Sequence, residues 1–129
     1  MSGSFLLDTN IVIALFAESQ PVIDQLEKTD EVFIPSIVVG ELVYGARKSH
    51  KVKENLERIE HMVASSAILA CDAVTAFHYG EIKDILRQKG KPIPENDIWI
   101  AALANQYNLV LVSRDEHFTE VDLLTVEAW

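Results

Sequence analysis

Four carboxylates occupy positions that a purely structural role explains poorly: Asp8, Glu41, Asp97 and Asp115. Asp8 closes the apolar run Phe5-Leu6-Leu7 and is followed by Thr9 and Asn10. Asp115 stands two residues beyond Leu109-Val110-Leu111-Val112-Ser113. Asp97 opens the stretch Ile98-Trp99-Ile100-Ala101-Ala102-Leu103, and Glu41 is the one charge between Ile37 and Ala46. Taken singly, Asp8 and Asp97 admit a plainer reading, because acids cap helices and favour their first turns. Glu41 resists it most. Its neighbours one turn away are Ile37, Val38, Tyr44 and Gly45. A carboxylate buried on that face has to be paired, protonated or metal-bound. The alternative is a helix rotated so that Glu41 reaches solvent past Gly45. Four converging carboxylates repel one another, and the usual remedy is a hard divalent cation with oxygen ligands, Mg2+ or Mn2+. Such a centre suits phosphoryl chemistry, since the cation lowers the pKa of a bound water and neutralises charge on the phosphate. Asn10, Ser113 and Glu116 are polar groups near enough in sequence to support those carboxylates through hydrogen bonds.

The elements that must position these acids alternate between strand and helix. Phe5 to Leu7 reads as a short buried strand, with Asn10 as the N-cap of a helix over Ile11 to Glu18. Asp8 then sits at the carboxyl end of that strand, where open parallel sheets bind ligands. Pro21 begins a second helix, Val22 to Lys28, whose inner side is Val22, Ile23 and Leu26. Val32 to Ile34 is a strand stopped by Pro35. Ser36 caps a helix running to about Lys48, and Lys51 to Ala64 carries Val52, Leu56, Ile59 and Val63 at helical spacing. Ala67 to Ala70 is a strand. Asp72 caps a long helix with an apolar side of Val74, Phe77, Ile82, Ile85 and Leu86, ending at Gly90. The turn Gly90 to Glu95 leads to a helix from about Asn96 to Tyr107. Leu109 to Ser113 is the strongest strand, and a last strand lies around Leu123 to Val126. The alternation predicts an α/β chain with three α/β/α layers and a central parallel sheet of four or five strands.

A chain of 129 residues is expected to form one domain spanning 1–129, with enough core to fold. It is 49% apolar and 24% charged, ordinary for a globular protein. No apolar run approaches the ~18 residues of a membrane span, and the lead Met1-Ser2-Gly3-Ser4 shows no basic, then apolar, signal pattern. One cysteine, Cys71, allows no internal disulfide and has no activating neighbour, so it reads as core. A cytoplasmic location is expected. The net charge of −9 argues against a simple cationic nucleic-acid binder. Yet nine of the eleven basic residues fall in two windows, Arg47 to Arg58 and Lys83 to Lys91. Each could be only a solvated helix face. If they hold RNA, Arg47, Lys48, Arg87 and Lys89 are the first candidates.

Several other chemistries lack their residues. There is no glycine-rich phosphate loop, no dinucleotide fingerprint and no nucleophile elbow. His50, His61, His78 and His117 have no mutual metal spacing and read as surface or half-buried residues.

In order and spacing, four segments resemble the PIN-domain ribonucleases. They are Leu7-Asp8-Thr9-Asn10, Gly40-Glu41-Leu42-Val43-Tyr44-Gly45-Ala46, Pro92-Ile93-Pro94-Glu95-Asn96-Asp97-Ile98-Trp99-Ile100-Ala101 and Ser113-Arg114-Asp115-Glu116-His117-Phe118. More narrowly, the chain is similar to the virulence-associated protein C toxins of toxin–antitoxin pairs, including its tail of Val121, Leu124 and Trp129. The resemblance implies a metal-dependent endoribonuclease with Asp8, Glu41, Asp97 and Asp115 as its acidic quartet. Asp8 and Asp97 would be the main ligands of Mg2+ or Mn2+. Cleavage of single-stranded or loop RNA, a tRNA anticodon loop first, would leave a 5′-phosphate and a 3′-hydroxyl. The resemblance also implies a homodimer and an antitoxin that blocks the site. Two alternatives remain at this point: a non-catalytic PIN-like binding module, and a phospho-acceptor receiver domain. The receiver would need an acid pair after the first strand and an acceptor after the third, where only Asp72 stands.

Overall fold

The structure is a computed structural model that describes residues 3–129; Met1 and Ser2 of the polar N-terminal lead lie outside the described residues. Five strands form, β1 (Ser4–Leu7), β2 (Glu31–Pro35), β3 (Ala67–Leu69), β4 (Val110–Val112) and β5 (Val126–Glu127). All pair in parallel, in the order β3-β2-β1-β4-β5. In the centre, Leu6 of β1 lies opposite Phe33 of β2 and Leu111 of β4. Phe5, Leu6 and Leu7 are all buried, which is why this strand is an unbroken apolar run rather than an alternating one.

The helices are α1 (Thr9–Phe16), α2 (Gln20–Glu27), α3 (Ser36–Arg47), α4 (Val52–Ala64), α5 (Ala73–Lys89) and α6 (Glu95–Tyr107), with a short 3-10 helix at Glu116–Glu120. Parallel crossovers are right-handed, because a right-twisted strand feeding a right-handed helix packs back only that way. The steps β1 to β2 to β3 run toward one edge, and β3 to β4 to β5 run toward the other. Their helices therefore cover opposite faces. In agreement, α1 packs on α2 and α3, α3 packs on α4, and α5 packs extensively on α6. This is the expected three-layer arrangement, with five strands. α6 is the most enclosed helix: Ile98 and every residue from Ile100 to Ala104 are buried.

β1 has β2 on one side and β4 on the other, and the chain reverses its direction of travel between them. In open α/β sheets ligands bind at such a reversal, outside the carboxyl ends of the strands, here β1 and β4. β3, in contrast, is an edge strand, and Asp72 beyond it is a helix cap that accepts from the Thr75 amide. The acid after the third strand, where a receiver would carry its acceptor, is therefore a helix cap.

Several local expectations are corrected. Asp8, not Asn10, is the N-cap of α1, accepting from the Thr9 amide; Asn10 lies within the first turn. Ser36 is the first residue of α3, and Pro35 precedes it as the cap residue. The last strand is Val126–Glu127, not Leu123 to Val126, because the preceding turn consumes those residues before the chain pairs with Leu111 and Val112. The inner side of α5 is also displaced. Val74 and Phe77 are 54% and 83% exposed, while Thr75, Ile82 and Leu86 are buried. The Thr75 hydroxyl donates to Gln106 of α6. A satisfied polar residue thus takes the interior position, and the helix turns its two apolar residues outward. Cys71 is half-buried and packs on the core. Burial, helped by Asp72, pushes its thiol pKa up, away from reactivity.

Candidate metal centre

β1 ends by extending its ladder one residue further: the Asp8 amide donates to the Val112 carbonyl at 3.0 Å. The Asp8 side chain is buried at the end of the strand, 5% exposed. Its Oδ1 accepts from the Thr9 amide at 2.8 Å. Its Oδ2 accepts from the Ser113 hydroxyl at 2.7 Å and the Asn10 amide group at 3.2 Å. Each carboxylate oxygen has two lone pairs, so Oδ1 retains acceptor capacity. Burial pushes the Asp8 pKa up; the bonds from Ser113 and Thr9 oppose this, and the Asp115 charge adds to it.

Asn10 and Ser113 act as joints between the two strand ends. Asn10 Nδ2 also donates to Ser113 Oγ at 3.3 Å, and Asn10 Oδ1 accepts from the Arg114 amide at 3.1 Å. Ser113, 3% exposed, accepts from the Asp115 amide at 3.0 Å. These contacts hold the loop after β4 against the start of α1. Glu116 is exposed at the start of the 3-10 helix, and among the described residues its side chain makes no hydrogen bond to these carboxylates.

Asp115 caps that short helix: its Oδ1 accepts from the His117 amide at 3.0 Å. The His117 imidazole folds back over the same loop. Its Nδ1 lies 3.0 Å from Asp115 Oδ1 and 3.3 Å from Asp97 Oδ2. Asp97 sits in the first turn of α6, and its side chain is 14% exposed. Burial and the neighbouring Asp8 charge push its pKa up to about 6, with Asp115 adding to the rise and His117 opposing it. Three acids from β1, α6 and the β4 loop are thus electrostatically coupled.

Glu41 joins differently. It lies in the middle of α3, half-buried, and its Oε1 accepts from the Thr9 hydroxyl at 2.8 Å. Its burial is therefore matched by a specific partner. Beside it runs a cleft of about 420 Å3 lined by Thr9, Ile13, Phe16, Leu42 and Arg58.

Among the described residues, Asp97, Asp115 and His117 offer ligand atoms all within 4.8 Å of one another. The residues present fit a divalent cation. The donors are hard oxygens with one imidazole nitrogen, and the unrelieved repulsion at Asp97 is what a cation offsets. Neither Thr9 nor His117 stood out in the sequence as a contributor. Thr9 directly follows Asp8 at the start of a helix. His117 is two residues beyond Asp115, the offset at which an aspartate side chain bonds the following backbone. Both offsets are legible once the aspartates are taken as a site. His78, by comparison, is engaged with Asn105.

The expected RNA contacts are dispersed. Arg47 is exposed at the end of α3, and Lys48 lies over the Tyr44 ring at 4.5 Å. Arg87 pairs with Asp84 at 2.6 Å. Lys89 donates to the Glu120 carbonyl at 2.6 Å and lies 3.4 Å from Asp122.

The sequence matches the PIN domain family over residues 5–124. This chain belongs to the PIN-domain family. Within it, the VapC ribonucleases are its relatives. The chain is 38% identical over 128 residues to Ribonuclease VapC2 of Haemophilus influenzae, covering 97% of each. It is 33% identical over 128 residues to the tRNA(fMet)-specific endonuclease VapC of Shigella flexneri, again covering 97% of each. Its fold is similar to the crystal structure of VapBC2 from Rickettsia felis bound to a promoter DNA fragment, with a TM-score of 0.89, 32% identity and 98% coverage of each chain. In this PIN domain Asp8 and Asp115 lie at the β1/β4 reversal, close enough to Asp97 to raise its pKa. Among the described residues, no helix is long and apolar enough to cross a membrane.

Proposed function

We propose that this chain is a Mg2+- or Mn2+-dependent endoribonuclease, the toxin of a toxin–antitoxin pair, cutting loop RNA and first a tRNA anticodon loop. The observation that carries the reading is the meeting of Asp97, Asp115 and His117, whose ligand atoms lie within 4.8 Å of one another, next to the buried Asp8. Asp8 and Asp97 would hold the cation, with Asp115 and Glu41 completing the site. When bound, the cation supplies Lewis acidity, lowering the pKa of water and offsetting phosphate charge. The chain's own residues do the rest. Asn10 and Ser113 keep Asp8 from rotating. Asp115 fixes the turn that carries His117. Arg47 and Lys48 meet RNA phosphates. The products are a 5′-phosphate and a 3′-hydroxyl.

An antitoxin restrains the activity by placing a basic side chain against these carboxylates, a charge-assisted contact. The tRNA named for the Shigella relative supports the substrate, and the VapBC neighbour supports a protein partner. A homodimer is supported by the large apolar side chains that α5 leaves exposed, Val74 and Phe77, and by two-fold pairs being the commonest oligomers.

The test is incubation of purified protein with bulk tRNA, in chelator and in millimolar Mg2+ or Mn2+, followed by 5′-end sequencing. Discrete metal-dependent ends within anticodon loops are expected. Cleavage that persists in chelator, or none with either ion, overturns the reading.

A further inference from the structure

We infer that His117 is a nitrogen ligand of the bound cation and sets the site's preference for transition ions such as Mn2+ over Mg2+. This rests on the metal reading above and adds a residue outside the acidic quartet. Its Nδ1 lies 3.0 Å from Asp115 Oδ1 and 3.3 Å from Asp97 Oδ2. Neighbouring ligands of an octahedral ion with bonds of about 2.1 Å stand roughly 3 Å apart. The nitrogen therefore stands from each oxygen as one corner of a coordination shell stands from its neighbour, and the three residues offer ligand atoms all within 4.8 Å of one another.

The imidazole is not a free surface rotamer. Its own amide donates to Asp115 Oδ1 at 3.0 Å, and the next residue, Phe118, is wholly buried. The turn is pinned from both sides, so the imidazole hangs from a fixed point beside the two carboxylates. The His117 side chain is 50% exposed, which leaves the ion's remaining positions open to water and phosphate. Chemistry supplies the selectivity. Mg2+ takes oxygen ligands almost exclusively; imidazole suits Zn2+, Fe2+ and Ni2+ best, and Mn2+, the hardest of the first-row transition ions, still takes a nitrogen more readily than Mg2+ does. An all-carboxylate centre discriminates weakly between Mg2+ and Mn2+, and one nitrogen tilts the balance.

The competing role for the same geometry is a ring N–H donating to the two carboxylates with no bond to the ion. Spin-echo spectroscopy of the Mn2+-loaded full chain separates the two. The expected result is a nitrogen modulation of the strength a directly bound imidazole gives, abolished in His117→Gln. Calorimetric titration of the same proteins with Mg2+ and Mn2+ should show Mn2+ affinity falling about tenfold in His117→Gln, a loss on the scale seen for metal-supporting residues. Mg2+ affinity should change by less than about threefold, because the glutamine amide oxygen is a hard ligand. Absence of nitrogen modulation in the wild type overturns the inference whatever the variant does. Equal losses for both ions also overturn it and assign His117 to hydrogen bonding. If the wild type binds neither ion, the metal reading itself falls, and this inference with it.

Discussion

Thr9 and Glu41, 32 residues apart, meet in a 2.8 Å hydrogen bond in which the threonine hydroxyl donates to the carboxylate. The amide of the same threonine donates to Asp8 Oδ1, also at 2.8 Å. One residue at the start of α1 thus sets the positions of two acids from different elements. It costs no extra backbone, because its amide is one of the orphan donors of the first helical turn.

Thr9→Val keeps the shape and removes the hydroxyl. It should reduce stability by about 1 kcal/mol. RNA cleavage should fall roughly tenfold through kcat rather than KM, since an ill-placed Glu41 weakens interactions made in the transition state. Thr9→Ser should restore most of the rate. Denaturant melts and steady-state kinetics on a short fluorescent RNA check this. A Thr9→Val enzyme with unchanged kcat would remove Glu41 from the working site.

Asp8→Asn and Asp97→Asn should each abolish metal-dependent cleavage, by on the order of 100-fold or more, while leaving the circular dichroism spectrum intact. Isosteric amides keep the packing and lose the charge that binds the cation. Either variant retaining wild-type activity in a clean preparation would falsify the assignment of that acid.

Asp97 makes metal-free stability depend on pH. Its folded pKa of about 6 lies above the ordinary 3.8, so the folded state holds the proton more tightly. Ionising it therefore costs stability. The cost is absent below about 3.8, grows as pH rises toward 6, and is complete above it, at up to about 3 kcal/mol before solvent screening of this partly exposed group reduces it. In chelator, Asp97→Asn should melt above wild type at pH 8 and level with it near pH 4. Millimolar Mn2+ should reverse the order at pH 8, because only the wild type gains binding free energy. A variant that melts below wild type at pH 8 in chelator would show that Asp97 is a stabilising charge.

RNA binding should draw on Arg47 and Lys48 more than on Arg87 and Lys89, which are already paired with Asp84, Glu120 and Asp122. Each phosphate contact contributes about 0.7 to the salt slope for single-stranded RNA. Replacing Arg47 and Lys48 with glutamine should flatten the slope of log affinity against log salt by more than one contact's worth. Replacing Arg87 and Lys89 should flatten it less. Equal effects would mean that the surface pairs open on binding at little cost, as exposed ion pairs can.

The sequence alone determined the element order, the three-layer class and the burial of β1. Each rests on local signals: an apolar run with no alternation at Phe5 to Leu7, caps at Asp72 and Gly90, and helical spacing between them. The placing of Asp8 and Asp115 just beyond apolar runs, of Asp97 at the head of one and of Glu41 inside one was equally legible, since such a charge is visible without knowing what lies opposite it. Cap positions were less so, because Asp8 and Asn10 are both good N-caps and only the bond to Thr9 distinguishes them. Tertiary structure decided what meets what. Parallel strands offer nearly the same ladder to any neighbour, so periodicity could not place β4 beside β1. That placement brings Ser113 to Asp8 across 105 residues, and the turn after it carries His117 onto Asp97. The inner side of α5 was decided in the same way. Hydrophobic spacing favoured Val74 and Phe77, but the Thr75 hydroxyl finds Gln106 on α6, and a hydrogen bond whose partner lies on another helix leaves no trace in the period of either one.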